Sequence, residues 1–256
     1  MDLTDAQWKV IEKFIPPDQM REDRRGRPWS DRRAGFNGIL WILRTGAPWQ
    51  DLPARYGAYQ TVHRRFQAWR KAGVIAAVLQ GLARDLHKRG RLDLRECFLD
   101  GSFAAARPGG AKVGNTKRGK GCKIMAIGDA QSSSSRHPHR SCCARRSELV
   151  EATLQELLVA EKPLRLIADK AYDSDPLRER LLDQEMLLLA PHRKGRTKPS
   201  FNDGRWLRRY RKRWKIERLF AWLHNFRRLV VRWEYYAENF HAFLQLGCAV
   251  ILLRHL

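Results

Sequence analysis

Along the first ninety residues the apolar positions recur with helical spacing. Residues 3–15, LTDAQWKVIEKFI, place Trp8, Ile11 and Ile15 on one face, with Thr4 as the N-cap and Pro16 and Pro17 as the stop. Residues 18–30 are polar and read as a loop. A second helix is predicted to begin at Ser30 or Asp31, to cover RRAGFNGILWILRTG and to end near Gly46. The connection APWQDLPARYGAY is rich in turn formers, and from Tyr59 to about Lys88 the pattern predicts one or two further helices. Residues 1–90 therefore read as an all-α domain, helix-turn-helix-like and suited to DNA, with an ordinary small bundle whose basic faces are merely solvated as the plainer reading.

From Arg95 onward the period changes. RECFLDGSFAAA (95–106), CKIMAIGDA (122–130), LRLIADKAY (164–172) and MLLLAP (186–191) read as strands. ELVEATLQELLVA (148–160) and DPLRERLLDQE (175–185) are the helices among them. A basic loop over 192–205 leads to a long helix from about Trp206 to Phe226, and AENFHAFLQLGCAVILLRHL forms a last helix. Strands alternating with helices predict an α/β domain over residues 91–256. Residues 131–147, QSSSSRHPHRSCCARRS, break the pattern: a strand is due there, yet the segment has no apolar periodicity.

Composition narrows what such a chain can do. Apolar residues make up 43% of the 256, enough for a folded core rather than a disordered tail. Lys and Arg number 50 against 27 Asp and Glu, and the resulting +23 repels itself in a compact fold and favours a polyanionic partner. Nucleic acid is the partner that charge suggests. The loop PGGAKVGNTKRGKG, with Lys117, Arg118 and Lys120, suits backbone approach to phosphate. No apolar run reaches the ~18–20 residues of a membrane span. No charged-then-apolar leader follows Met1, so a soluble intracellular protein without a membrane partner is expected. Cys97, Cys122, Cys142, Cys143 and Cys248 lack C-x-x-C spacing, which argues against a disulfide framework and a Cys-based zinc site.

The carboxylates are more specific. Between Gly204 and Trp233, Glu217 is the only acidic residue among nine Arg and two Lys. With Tyr210 at zero on a helix of ~100° per residue, Arg213, Glu217 and His224 fall at about 300°, 340° and 320°, a stripe about 60° wide. One carboxylate in a basic, aromatic face suits a metal ligand with cations nearby for phosphate. A structural Glu paired with Arg213 or Arg218 is the plainer reading of that helix alone. Asp100, in ECFLDGS, and Asp169, in LRLIADKAYDSD, each follow an apolar run at a predicted strand. Two such aspartates with Glu217 make a candidate cluster for a hard divalent cation, Mg²⁺ above all, and two ions can clamp an in-line phosphoryl displacement. Asp129, Asp173 and Asp175 read as supporting or structural.

These residues carry a resemblance. YRKRWKIERLFAWLHN sets Tyr210, Arg213 and Glu217 at the Tyr-x2-Arg-x3-Glu-x6-Lys spacing of bacterial insertion-sequence transposases of the DDE type, with His224 where Lys is usual. LDGS and ADKAYDS are similar to the motifs that hold that group's two aspartates, and LTDAQW and RRGRP to its N-terminal DNA-binding region. The resemblance implies a ribonuclease H-like mixed sheet with flanking helices, in which Asp100, Asp169 and Glu217 are catalytic and hold two Mg²⁺ ions, or Mn²⁺. It implies metal-dependent cleavage and strand transfer on double-stranded DNA, namely the element's terminal inverted repeats and a target. Tyr210 and Arg213 would position DNA or the Glu217 carboxylate, and His224 would contact DNA. A homo-oligomer on DNA and a cytoplasmic, nucleoid-associated location follow from the same resemblance. Arg25 and Arg27, in RGRP, read equally as a minor-groove arm or as a solvated loop.

In similar transposases the stretch matching 131–147 is an apolar strand. Here the length is kept and the residue character is not. A compensated frameshift, with one indel near codon 131 and an opposite one near codon 148, stands against a loop particular to this branch. A lost central strand would remove several buried side chains at ~1.5–3 kcal/mol each and leave an inactive copy with its carboxylates intact. Two other functions stay open: a decayed, non-catalytic DNA-binding protein, and a stand-alone metal-dependent nuclease.

Overall fold

Helix α1 (Asp5–Glu12) starts from a capping box. The Thr4 hydroxyl accepts the Gln7 N–H at 3.3 Å, and the Gln7 side chain accepts the Thr4 N–H at 3.1 Å. Helix α2 (Arg32–Thr45) is capped by Asp31, which accepts from the Arg33 and Ala34 N–H groups, and ends at left-handed Gly46. In this computed structural model the described residues are 2–17, 31–129, 134–136, 139–140, 146–197 and 204–255. Two 3₁₀ turns, Trp49–Asp51 and Ala54–Tyr56, fill the turn-rich connection. The run from Tyr59 is two helices, α3 (Tyr59–Lys71) and α4 (Val74–Lys88), divided by Gly73 at φ +72°.

The described residues form one sheet. Its strands are β1 (Glu96–Ala106), β2 (Gly114–Thr116), β3 (Gly119–Gly128), β4 (Ser134–Arg136), β5 (His139–Arg140), β6 (Arg165–Ala168), β7 (Leu187–Leu189) and β8 (Val231–Arg232). The path runs β2-β3-β1-β6-β7, with β4 and β5 beside β3 and β8 beside the end of β1. β1 is antiparallel to β3 and parallel to β6, and β6 is parallel to β7. That is the mixed, ribonuclease H-like arrangement. Helices α5 (Arg146–Leu154) and α6 (Asp175–Leu182) lie between β5 and β6 and between β6 and β7, the crossovers that parallel neighbours require.

β1 is the centre of the core, with Cys97, Phe98 and Leu99 fully buried. Helix α10 (Ala237–Leu252) is buried on nearly every side and packs against α4, α2 and α3. Phe243 of α10 stacks on Phe66 of α3 at 4.6 Å between ring centroids. The buried side chains of the N-terminal helices, α10 and the sheet make one continuous core.

Three expectations change. The long helix is broken into α7 (Gly204–Leu207), a 3₁₀ segment Arg208–Arg213 and α8 (Trp214–His224), followed by α9 (Arg227–Val230). The 3₁₀ segment, RRYRKR, eclipses residues three apart and so sets Tyr210 over Arg213. Strand β6 stops at Ala168, short of Tyr172, because Asp169 caps a 3₁₀ turn over Lys170–Tyr172. The irregular stretch supplies backbone to the sheet, β4 and β5, at the outer edge of β3 rather than at a central position. Cys142 and Cys143 lie outside the described residues.

Candidate active site

β1 and β6 run parallel and in register from Glu96 opposite Arg165 to Leu99 opposite Ala168. The next residues on each, Asp100 and Asp169, therefore stand side by side. Apolar runs bring both strands into the core, and each acid comes where the strand reaches the rim. Asp100 Oδ1 accepts the Gly101 N–H at 2.7 Å, and Asp169 Oδ1 accepts the Ala171 N–H at 2.8 Å as the cap of its turn. Backbone donors thus fix one oxygen of each aspartate.

α8 brings the third carboxylate. Ile216, Leu219, Phe220 and Leu223 bury one face of this helix, which packs on β1 and β3. Glu217, in the first turn, stays at the rim with its side chain 59% exposed. Arg213 ends the 3₁₀ segment just before it, and a 3₁₀ turn eclipses residues three apart. Tyr210 accordingly lies against Arg213, its ring centroid 5.6 Å from the guanidinium carbon.

The three carboxylates meet on that guanidinium. Arg213 Nη2 is 3.3 Å from Asp100 Oδ2 and 3.0 Å from Glu217 Oε1, and Nη1 is 3.8 Å from Asp169 Oδ2. Burial pulls the Arg213 pKa down, but Asp100, Glu217, Tyr210 and Asp169 outweigh it and hold it raised. His224, one face along α8, sets Nε2 3.5 Å from Ser102 Oγ, and burial lowers its pKa below the ordinary imidazole value. The stripe of Tyr210, Arg213, Glu217 and His224 is therefore brought against the Asp100 strand, although a single α-helix does not carry it.

All three acids offer hard oxygen donors, the chemistry a divalent cation of the Mg²⁺ type takes. Among the described residues no three His, Cys, Asp or Glu side chains are grouped to hold a metal ion as they stand. Arg213 bridges them instead. The donor set fits a metal; the positive charge now among the donors is the guanidinium.

Lys117 and Arg118 form the tip of the β2–β3 hairpin. With Gly101, Ser102, Phe103, Lys123 and Met125 they line a cavity of about 280 Å³. Lys123 was not singled out in the sequence, because it sits inside an apolar strand run. Lys120 is exposed on β3 and does not line the cavity. Arg25 and Arg27 lie outside the described residues. Asp129 is fully buried and accepts the Asp93 N–H at 3.4 Å. Asp173 and Asp175 anchor a basic network: Arg178 and His192 reach Asp173 at 2.6 and 3.1 Å, and Arg196 reaches Asp175 at 2.7 Å.

Comparison with known proteins gives two family models, curated relatives and a solved structure. A family model described as "Transposase DDE domain" matches residues 92–253, and one described as "Putative transposase of IS4/5 family" matches residues 3–79. The chain is 34% identical over 117 residues to the "Insertion element IS402 uncharacterized 16.2 kDa protein" of Burkholderia cepacia, covering 44% of this chain and 80% of that one. It is 41% identical over 91 residues to a "Putative transposase for insertion sequence element IS402" of the same species, covering 36% and 39%. Its fold is similar to that of a piggyBac transposase synaptic complex with hairpin DNA, at TM-score 0.54 and 13% identity, over 96% of this chain and 69% of that one.

Proposed function

Since the chain belongs to the transposase DDE domain family, we propose that Asp100, Asp169 and Glu217 are the carboxylates with which this transposase cuts and joins DNA. The observation that carries the reading is their convergence, from β1, the end of β6 and α8, on one guanidinium. Asp100, Asp169 and Glu217 would hold two Mg²⁺ ions, or Mn²⁺. Bound there, the metal supplies activation of a water or a 3′-OH and stabilisation of the leaving oxygen.

The rest is positioning. The Gly101 and Ala171 N–H groups hold one oxygen of each aspartate and so orient the other. Tyr210, Arg213 and His224 would set the phosphodiester against the carboxylates from α8 and its preceding turn. Lys117, Arg118 and Lys120 would hold the duplex from the hairpin, and Arg25 and Arg27 would reach the minor groove. Residues 1–90 would bind the terminal inverted repeats, with residues 91–256 acting on the ends and the target. The active assembly would be a homo-oligomer on DNA, in the cytoplasm at the nucleoid. No helix of the described residues is long and apolar enough to cross a membrane.

The test is cleavage and joining of an end-containing duplex with Mg²⁺ or Mn²⁺. Wild type is expected to cut and to join, and Glu217→Gln to bind the same duplex without cutting. Cleavage by Glu217→Gln at the wild-type rate overturns the assignment. A wild type that binds the ends and never cuts them leaves the decayed, DNA-binding reading; cutting without a joined product leaves the nuclease.

A further inference from the structure

We infer that Arg213 is a built-in counter-cation, which pairs with Oδ2 of Asp100, Oδ2 of Asp169 and Oε1 of Glu217 until divalent metal enters and displaces it. The inference rests on the carboxylate assignment above and adds a sign to it: Arg213 opposes metal binding.

Three features point this way. The aspartate oxygens that face Arg213 are the Oδ2 atoms, whereas the Oδ1 atoms are held by the Gly101 and Ala171 N–H groups. An incoming cation therefore competes with the guanidinium for the Oδ2 atoms. Three carboxylates gathered in one place repel one another, and a planar fork with five donors is suited to span them. Arg213 does so with 18% of its side chain exposed, a partly buried cation set among three acids. Finally, a guanidinium and a divalent ion are like charges and cannot share the same oxygens without strong repulsion. Metal entry must move Arg213. The displaced fork, on a short 3₁₀ segment beside Tyr210, is then released to a phosphate.

The experiment is Mn²⁺ binding to the full chain without DNA, followed by isothermal titration and by electron paramagnetic resonance of the free ion. Arg213→Gln is expected to bind Mn²⁺ about 10-fold more tightly than wild type. Its metal-free melting temperature is expected to fall below wild type, and Mn²⁺ to close the gap. Arg213→Lys, whose single ammonium cannot span three carboxylates, is expected to bind about threefold more tightly and decides the matter if the Gln variant does not fold. Folded variants that bind Mn²⁺ no better than wild type overturn the counter-cation. Glu217→Gln separates the two levels of the argument. If it weakens Mn²⁺ binding while the Arg213 variants change nothing, the counter-cation alone fails; if it leaves Mn²⁺ binding untouched, the carboxylate assignment fails and takes the counter-cation with it.

Discussion

Asp173 and Arg178 form a buried ion pair, 2.6 Å between Oδ1 and Nη1, with 3% and 2% of their side chains exposed. Arg178 also donates to the Ala190 carbonyl at 3.0 Å. The pair thus ties the turn that follows Asp169 to the chain leaving β7. Removing Arg178 takes a buried cation from Asp173 but leaves it Arg196 at 3.3 Å, His192 at 3.1 Å and the Arg193 N–H. The cost is therefore that of a lost buried, charged hydrogen bond, about 1–3 kcal/mol. Arg178→Met is expected to lose that much stability in urea denaturation, and a loss below about 1 kcal/mol would show the pair to be solvated.

The same carboxylate gives stability a dependence on acid. Burial alone would raise its pKa, but the Arg193 N–H, Arg178 and His192 outweigh burial and bring it down to about 2 from 3.8. A depressed carboxylate stabilises the fold fully above its unfolded value and loses that contribution as pH falls through the folded one. The window is therefore from about pH 4 to about pH 2, and the contribution about 2 kcal/mol. Unfolding free energies of wild type are expected to fall across that window more steeply than those of Asp173→Asn. Parallel curves would contradict the assignment.

Much of this geometry was legible before any coordinates, and what was not has physical causes. Asp100 and Asp169 were visible because apolar runs, RECFL and LRLIA, deliver each acid to a strand's rim. Glu217 was visible as a lone acid among cations. Their meeting point was not, since the register that places Leu99 opposite Ala168 is a long-range property. The helical wheel grouped Tyr210 with Arg213 on a wrong premise: it assumed an α-helix through 208–213, where a 3₁₀ segment eclipses the two. The irregular stretch, 131–147, was legible only as a break in the pattern, with a strand due and no apolar periodicity to mark it. The backbone of β4 and β5 lies at the edge.

Gly81 marks where α1 meets α4. A Cβ at that position would collide with the Phe14 ring, just beyond the end of α1. Gly81→Ala should gain about 1 kcal/mol of helix propensity, yet overpacking costs about 1–3 kcal/mol. The variant is expected to melt below wild type. In the background of Phe14→Ala, where the ring is gone, the same change is expected to raise the melting temperature. A Gly81→Ala effect independent of residue 14 would break the proposed contact.

His224 offers the cleanest electrostatic test of the α8 face. Burial holds its imidazole below the ordinary value, so at pH 7.5 it is neutral and releases no counter-ion when DNA binds. His224→Lys restores the cation that the resemblance leads one to expect at this position. On a duplex, log affinity against log salt is expected to steepen by about 1 for the variant at pH 7.5. Wild type should approach that slope only when the pH is taken well below the ordinary imidazole value of about 6.5, because protonation must overcome the burial of the ring. Fluorescence anisotropy over a salt series at pH 7.5 and pH 5 distinguishes the outcomes. An unchanged slope for His224→Lys would place residue 224 beyond the reach of phosphate, and would leave the Ser102 contact as its whole role.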